Sequence, residues 1–288
     1  MNNNKIALVV IVYGKALEDA MTIQSLLSFE QKLEHLLIVN NGPAVIDENS
    51  AVLTSLAQKH HHVVLENQVQ NKPLSWIYND FIQQYDADYY VLFDDDTEIN
   101  PEYQRKIFIM QGVDIELPKI ISMNDKAQYY PLVDGVIEQK DGIISNAKEI
   151  FSIGSGLVIS KDIKQYFIEN KIELFDSHFA LYGVDFSFFR KINHIAKQKN
   201  IIFSISSNTY IKHSLSRTEK ETNAWRDKER LYDLVLTLKY YYSYAELRIL
   251  KLFFKKILGG KIKDALLILS TAFNGAHPRC STNRKDIY

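Results

Sequence analysis

Four short apolar runs, residues 6–13, 36–39, 62–65 and 90–93, recur along the N-terminal third of the chain with helix-like stretches between them. That alternation constrains the fold more than any other feature. Residues 6–13 are apolar almost without interruption, as in strands buried on both faces, whereas Met21, Leu26 and Leu27, with polar Gln24 and Ser25 between, follow a helical period. Asn40-Asn41-Gly42-Pro43 ends the second run in a turn, and residues 50–59 and 73–84 read as helices, the latter with Pro73 in its first turn. Strands alternating with helices predict an α/β fold with a mostly parallel, Rossmann-like sheet flanked by helices. Ligands of such sheets bind beyond the carboxyl ends of the strands, where the Asn40 turn and the end of the fourth run both fall.

The fourth run ends in Asp94-Asp95-Asp96-Thr97-Glu98. Three consecutive carboxylates after a buried strand repel one another and raise at least one pKa unless a cation compensates. Side chains alternate along a strand, so Asp94 and Asp96 can face one side and Asp95 the other. A hard divalent cation carrying a diphosphate would satisfy that charge; a solvated acidic turn is the plainer alternative.

Composition narrows the classes. The chain has 288 residues, 46% of them hydrophobic, enough for one good-sized domain with an extension. Basic and acidic residues nearly cancel, 34 against 35, which removes a global electrostatic case for nucleic acid. A single cysteine, Cys280, excludes an internal disulfide framework and fits a reducing, cytoplasmic setting. Nowhere do apolar residues run long enough for a transmembrane helix.

From about residue 217 the character changes. Residues 226–263 hold ten basic side chains against four acidic, a local excess of six, and Leu231, Leu234, Val235, Leu238, Tyr241 and Tyr242, then Leu250, Phe253, Phe254 and Ile257, recur at helical spacing. Two readings stand side by side: a basic amphipathic helical extension lying peripherally on an anionic membrane, or a helical hairpin packed on the sheet domain with a solvated basic face.

Taken in order, residues 6–13, Leu37-Ile38-Val39-Asn40-Asn41-Gly42, Asn67 with residues 71–79, and Phe93-Asp94-Asp95-Asp96-Thr97 resemble the family-2 nucleotide-sugar glycosyltransferases. Gly154-Ser155-Gly156, Leu174-Phe175-Asp176, Tyr182-Gly183-Val184-Asp185 and His213-Ser214-Leu215-Ser216 continue the resemblance, and the tail is similar to that of bacterial rhamnosyltransferase-like members. Together these cover residues 5–216. The resemblance implies a GT-A type domain over residues 1–216 and a helical extension over 217–288.

It further implies the roles. Asp96, with Asp94 and the candidate His213, would hold Mn²⁺ or Mg²⁺, which stabilises a departing diphosphate as a Lewis acid. His213 is placed on a late loop after the apolar segment 201–205 and the turn-forming Ser206-Ser207-Asn208. Tyr13, Asn40, Asn41, Asn79, Asp94 and Asp95 would contact the nucleotide sugar, a UDP or dTDP donor, and Lys15 is either a phosphate partner or a plain exposed lysine. Gly154, Ser155, Gly156 and Asp176 fall on the acceptor side.

Asp185 is the candidate general base, because its flanks Tyr182 and Phe186 to Phe189 would desolvate the carboxylate and lift its pKa; its alternative role is the N-cap of a helix over residues 186–195. One base without a covalent intermediate means inversion. The implied activity is transfer of a sugar to a hydroxyl of a bacterial surface glycan or lipid-linked oligosaccharide at the inner face of the membrane. The chain departs from the family pattern at Asn40, where an aspartate is usual, and at Gly183-Val184, where an acidic residue often precedes the base. Two other readings are a non-catalytic glycan- or nucleotide-binding protein of the same fold, and an aspartyl-phosphate phosphatase. Against the latter, Glu98 stands where that motif needs Thr or Val, and three strand-helix units precede the triplet.

Overall fold

The structure is a computed structural model describing residues 3–215 and 224–280. Ser216, the last residue of the late histidine segment, lies outside them. The opening run forms β1 (Ile6–Val12), followed by α1 (Met21–Leu27), β2 (His35–Asn40), α2 (Ala51–Lys59), β3 (His62–Asn67), α3 (Leu74–Gln84) and β4 (Tyr89–Asp94). Each expected element is present within a residue or two. Ser50 caps α2, its hydroxyl accepting from Leu53 N, and Pro73 is the residue just before α3.

Next come β5 (Thr97–Glu98), α4 (Pro101–Ile109), β6 (Ile115–Glu116), β7 (Lys119–Ser122), β8 (Gln128–Tyr130), β9 (Leu132–Val133), β10 (Val136–Ile137), β11 (Gly142–Ile143) and β12 (Ile150–Phe151). Then follow β13 (Val158–Ser160), α5 (Lys161–Glu169), α6 (Val184–Lys199), β14 (Ile205–Ser207), β15 (Tyr210–His213), α7 (Ala224–Tyr241), α8 (Ala245–Leu258) and α9 (Ile262–Asn274).

The main sheet runs β11-β14-β6-β13-β4-β1-β2-β3. β4, β1, β2 and β3 are parallel neighbours, as alternation requires, while β13 enters antiparallel between β4 and β6. Apolar residues on both faces of β1 explain its unbroken run: Ala7, Val9 and Ile11 enter one core with α3 and α6, and Ile6, Leu8 and Val10 enter another with α1 and α4. Truncating Ile6, Leu8 or Ile11 to alanine would cost about 2–5 kcal/mol.

Two small sheets were not legible as such. The order β5-β15-β7-β8 carries the chain from the acidic turn across to His213, and β10-β9-β12 forms a three-stranded sheet packed on the core through Ile150. The expected turn at Ser206-Ser207 is instead the end of β14 in the main sheet, buried on pairing with β6 and β11. The tail forms three helices rather than two. Leu236 of α7 joins the core beneath α6, and Leu231, Val235, Ile249 and Ile268 make a smaller core among α7, α8 and α9.

Candidate active site

β4 ends at Asp94, and Asp95 and Asp96 form the turn into β5. The expected division of the triplet holds, although a turn rather than strand alternation produces it. Asp94 and Asp96 lie with His213, one ligand atom of each falling within 4.8 Å of the others. Asp95 faces the opposite side, where its carboxylate accepts from the Tyr13 backbone N–H at 3.0 Å and pairs with Lys15 at 2.7 Å. Lys15 therefore holds the end of β1 to the triplet.

His213 closes β15 and is buried; it does not sit on a loop. Its place is fixed by pairing with Thr97 of β5 and Ser122 of β7. Nδ1 lies 2.9 Å from Thr97 Oγ1 and 3.2 Å from Asp96 Oδ1, and Nε2 lies 3.9 Å from Asp94 Oδ2. Burial lowers the His213 pKa to about 4, so the imidazole is neutral at pH 7, the form a metal requires. Asp94 is pushed well above the ordinary carboxylate value, by burial first and then by Asp96, Asp185 and Asp95. With 40% of its side-chain surface exposed, burial is only partial and the repulsion is the cause that persists, and a cation would reverse it.

Beneath the trio runs a chain of hydroxyls. The Asp94 N–H donates to Ser155 Oγ at 3.2 Å, Ser155 Oγ meets Thr97 Oγ1 at 2.7 Å, and Thr97 passes to His213. Ser155, expected on the acceptor side, thus lies under the acidic turn, brought there by β13 beside β4. Its neighbour Gly156 is likewise structural, giving its N–H to Leu92 O at 2.7 Å and accepting from the Tyr103 hydroxyl at 2.9 Å.

Two of the asparagines expected on the nucleotide are spent inside the protein. Asn40 is buried and donates to Ala44 O and Asn67 Oδ1 while accepting from Gly42 N, so it builds the turn. Asn79 clamps Phe175, donating to its carbonyl at 2.8 Å and accepting from its N–H at 3.0 Å. Asn41 differs. Its amide donates to Lys72 O at 3.0 Å, but its buried Oδ1 has no hydrogen-bond partner among the described residues. Tyr13, just beyond β1, is half exposed.

Asp185 is not the N-cap of its helix. α6 starts at Val184 behind Gly183, whose φ of +81° is the left-handed region that suits glycine, and Asp185 sits in the first turn. Its carboxylate accepts from the Gly154 N–H, and burial lifts its pKa to about 6 despite that bond. The aromatic surroundings match expectation: Phe186 stacks on Phe151 with centroids 5.1 Å apart. Asp94 and Asp185 are close enough to raise one pKa, and both press on the buried Tyr78 hydroxyl of α3, whose pKa is raised by burial and then by these two charges.

Asp176 orders its loop, as a turn residue should. It accepts from His178 N and Nδ1 and from the Tyr241 hydroxyl at 2.7 Å. Burial opposes its charge, yet the His178 and Tyr241 donors outweigh burial and hold the carboxyl at about 2. Sequence reasoning missed Thr97 as a histidine partner, Tyr78, Tyr241, and Asp233 of α7. A Cβ on Gly183 would fall 1.9 Å from Asp233 Oδ1, so a carboxylate from the tail fills the space beside the base segment where the sequence itself has no acidic residue.

The family model described as glycosyl transferase family 2 matches residues 7–194. Among solved structures, S. aureus TarS 1-349 in complex with UDP-GlcNAc is similar at 13% identity and a TM-score of 0.54, covering 96% of this chain and 82% of that one. The same fragment in complex with UDP gives 13% identity and a TM-score of 0.51, with 97% and 92% covered. Against the longer S. aureus TarS structure the identity is 13% and the TM-score 0.50, with 81% of this chain but only 44% of that chain covered. At such identities the likeness shows the fold. No curated protein matches the chain significantly. A match over 188 consecutive residues, from β1 into α6 and spanning the acidic turn and Asp185, means that the chain belongs to glycosyl transferase family 2.

Proposed function

We propose that this glycosyltransferase is inverting and metal-dependent, moving a sugar from a UDP or dTDP donor to a hydroxyl of a bacterial surface glycan or lipid-linked oligosaccharide. The observation that carries the reading is the convergence of Asp94, Asp96 and His213 at the carboxyl end of β4, with Asp185 within electrostatic reach. The UDP-GlcNAc and UDP complexes of the similar TarS fragment support the donor class.

The donor set fits a cation. Two carboxylates and a neutral imidazole suit Mn²⁺ and leave positions for phosphate oxygens and water, with Mg²⁺ the harder alternative. A cation held by Asp94, Asp96 and His213 would supply Lewis-acid stabilisation to the departing diphosphate. Thr97, bonded to His213 Nδ1, would fix the ring and leave Nε2 to the cation. Asp95 binds no cation in this reading; it fixes Tyr13, whose half-exposed ring can stack on the base, while the unspent Asn41 Oδ1 accepts from a base N–H.

Asp185 takes the proton from the acceptor hydroxyl at its carboxylate as that oxygen attacks the anomeric carbon and the bond to the diphosphate breaks. A pKa of about 6 leaves it ionised at pH 7 yet basic enough for the step. Residues 1–216 form the catalytic unit and 217–288 the helical extension, placed at the cytoplasmic face of the membrane. The test is nucleotide release from a panel of nucleotide sugars with and without Mn²⁺, followed by NMR of the product anomer. Release that is indifferent to metal, or a product with retained configuration, would overturn the reading.

A further inference from the structure

The last two helices carry an apolar surface that nothing among the described residues covers. α8 and α9 form a hairpin closed by Gly259 and Gly260, and their inward residues Ile249 and Ile268 are already buried against α7. The outward rows are apolar as well. Leu247, Phe254 and Leu258 on α8, and Ile262, Leu266 and Phe273 on α9, are between 56% and 91% exposed. Steps of four and seven residues put each trio on one helix face, and Leu258 and Ile262 flank the turn, so the two rows meet at its tip. Single exposed apolar residues need no explanation; two aligned rows on one hairpin do.

Charge selects the occupant. Residues 245–274 hold six basic side chains against two acidic, while the whole chain has a net charge of -1, so the hairpin is the basic pole of an otherwise acidic molecule. At about 100° per residue, Lys251 and Lys255 lie about 40° and about 80° round α8 from Leu247, at the border of its apolar row. Lys261 and Lys263 lie about 100° to either side of Ile262 at the turn end of the α9 row, and all four are exposed. A second copy of the chain would bring these lysines against each other. An anionic bilayer takes both parts, the apolar rows at the acyl boundary and the lysines at the phosphates. No described helix is long and apolar enough to cross a membrane, so the contact lies in the interfacial plane.

We propose that the α8–α9 hairpin docks this protein on the surface of an anionic lipid bilayer. This surface stands independently of the donor, metal and base assignments. The test is sedimentation of the full chain with vesicles of phosphatidylcholine alone and of phosphatidylcholine with phosphatidylglycerol at about three to one. The full chain pellets with the mixed vesicles, less so as salt rises. Phe254→Ser with Phe273→Ser, and separately Lys251→Glu with Lys255→Glu, each weaken partitioning by more than about tenfold with melting temperature unchanged, since all four residues are exposed. Failure of the full chain to pellet with mixed vesicles overturns the proposal, as does parental binding by both variants. A dimer in ultracentrifugation that the serine variant dissolves, without vesicle binding, assigns the face to a second copy and also overturns it.

Discussion

A methyl group on Gly154 would stand 2.6 Å from Asp185 Oδ1, inside any real carbon–oxygen contact. The glycine is there for the carboxylate: its missing side chain lets the backbone N–H of one segment reach an acid presented by the first turn of α6.

Gly154→Ala should therefore act on activity before stability. The short Asp185 side chain can swing away, so turnover falls by about tenfold or more while the melting temperature changes little, a misplaced base being costly even at small displacement. Losing the N–H bond also removes support for the ionised form, so the acidic limb of the pH–turnover profile moves upward. An unchanged profile would separate Gly154 from the base.

Asp185→Asn should reduce turnover by about 10²- to 10⁴-fold with donor affinity nearly unchanged. In the parent, turnover should fall as pH drops through about 6, where the carboxylate takes up a proton. The sign for stability is the opposite of an ordinary ion pair. A folded pKa above the unfolded value favours the fold at low pH and is lost as pH rises past about 6, so the Asn variant should be more stable than the parent at pH 8, by about 1 kcal/mol for a partly exposed group. Denaturant melts at pH 5 and pH 8 check it.

For the metal, Asp96→Asn should abolish Mn²⁺-dependent binding of UDP with the fold intact. Thr97→Val keeps the shape and removes the bond to His213 Nδ1, and should weaken Mn²⁺ affinity by about 10- to 100-fold. Calorimetry decides both, and unchanged Mn²⁺ affinity in either variant removes that residue from the metal site.

Gly183→Ala combines a strained φ of +81° with a Cβ 1.9 Å from Asp233 Oδ1, and should cost about 2–4 kcal/mol. Adding Asp233→Ala should recover part of that loss, because the clash goes while the strain stays. Equal stability of the single and double variants would mean that the two residues are not in contact.

The strands, their order of appearance and the acidic turn were legible in the sequence because each is written locally, in apolar period and abrupt charge. The aromatic surroundings of Asp185 were legible for the same reason, being its neighbours in the chain. The partners of Asn40 and Asn79 are not legible, because an amide looks the same in sequence whether it faces a ligand or a backbone; only the fold reveals the bonds to Ala44, Asn67 and Phe175. The place of Ser155 under the acidic turn is not legible either, because the antiparallel entry of β13 beside β4 is a long-range event without a local signal. His213 was recognised as a candidate, but its strand pairing depends on β5 and β7, both far away in sequence.

The hydroxyl of Tyr241, at the end of α7, reaches Asp176, and Leu236 one turn earlier is buried in the core beneath α6. The loop ahead of the base segment is thus finished by a residue 65 positions later, on a helix beyond the stretch the family model matches. A substitution in α7 consequently reaches that loop as directly as one within it, and the loop keeps its shape only while the helix is docked.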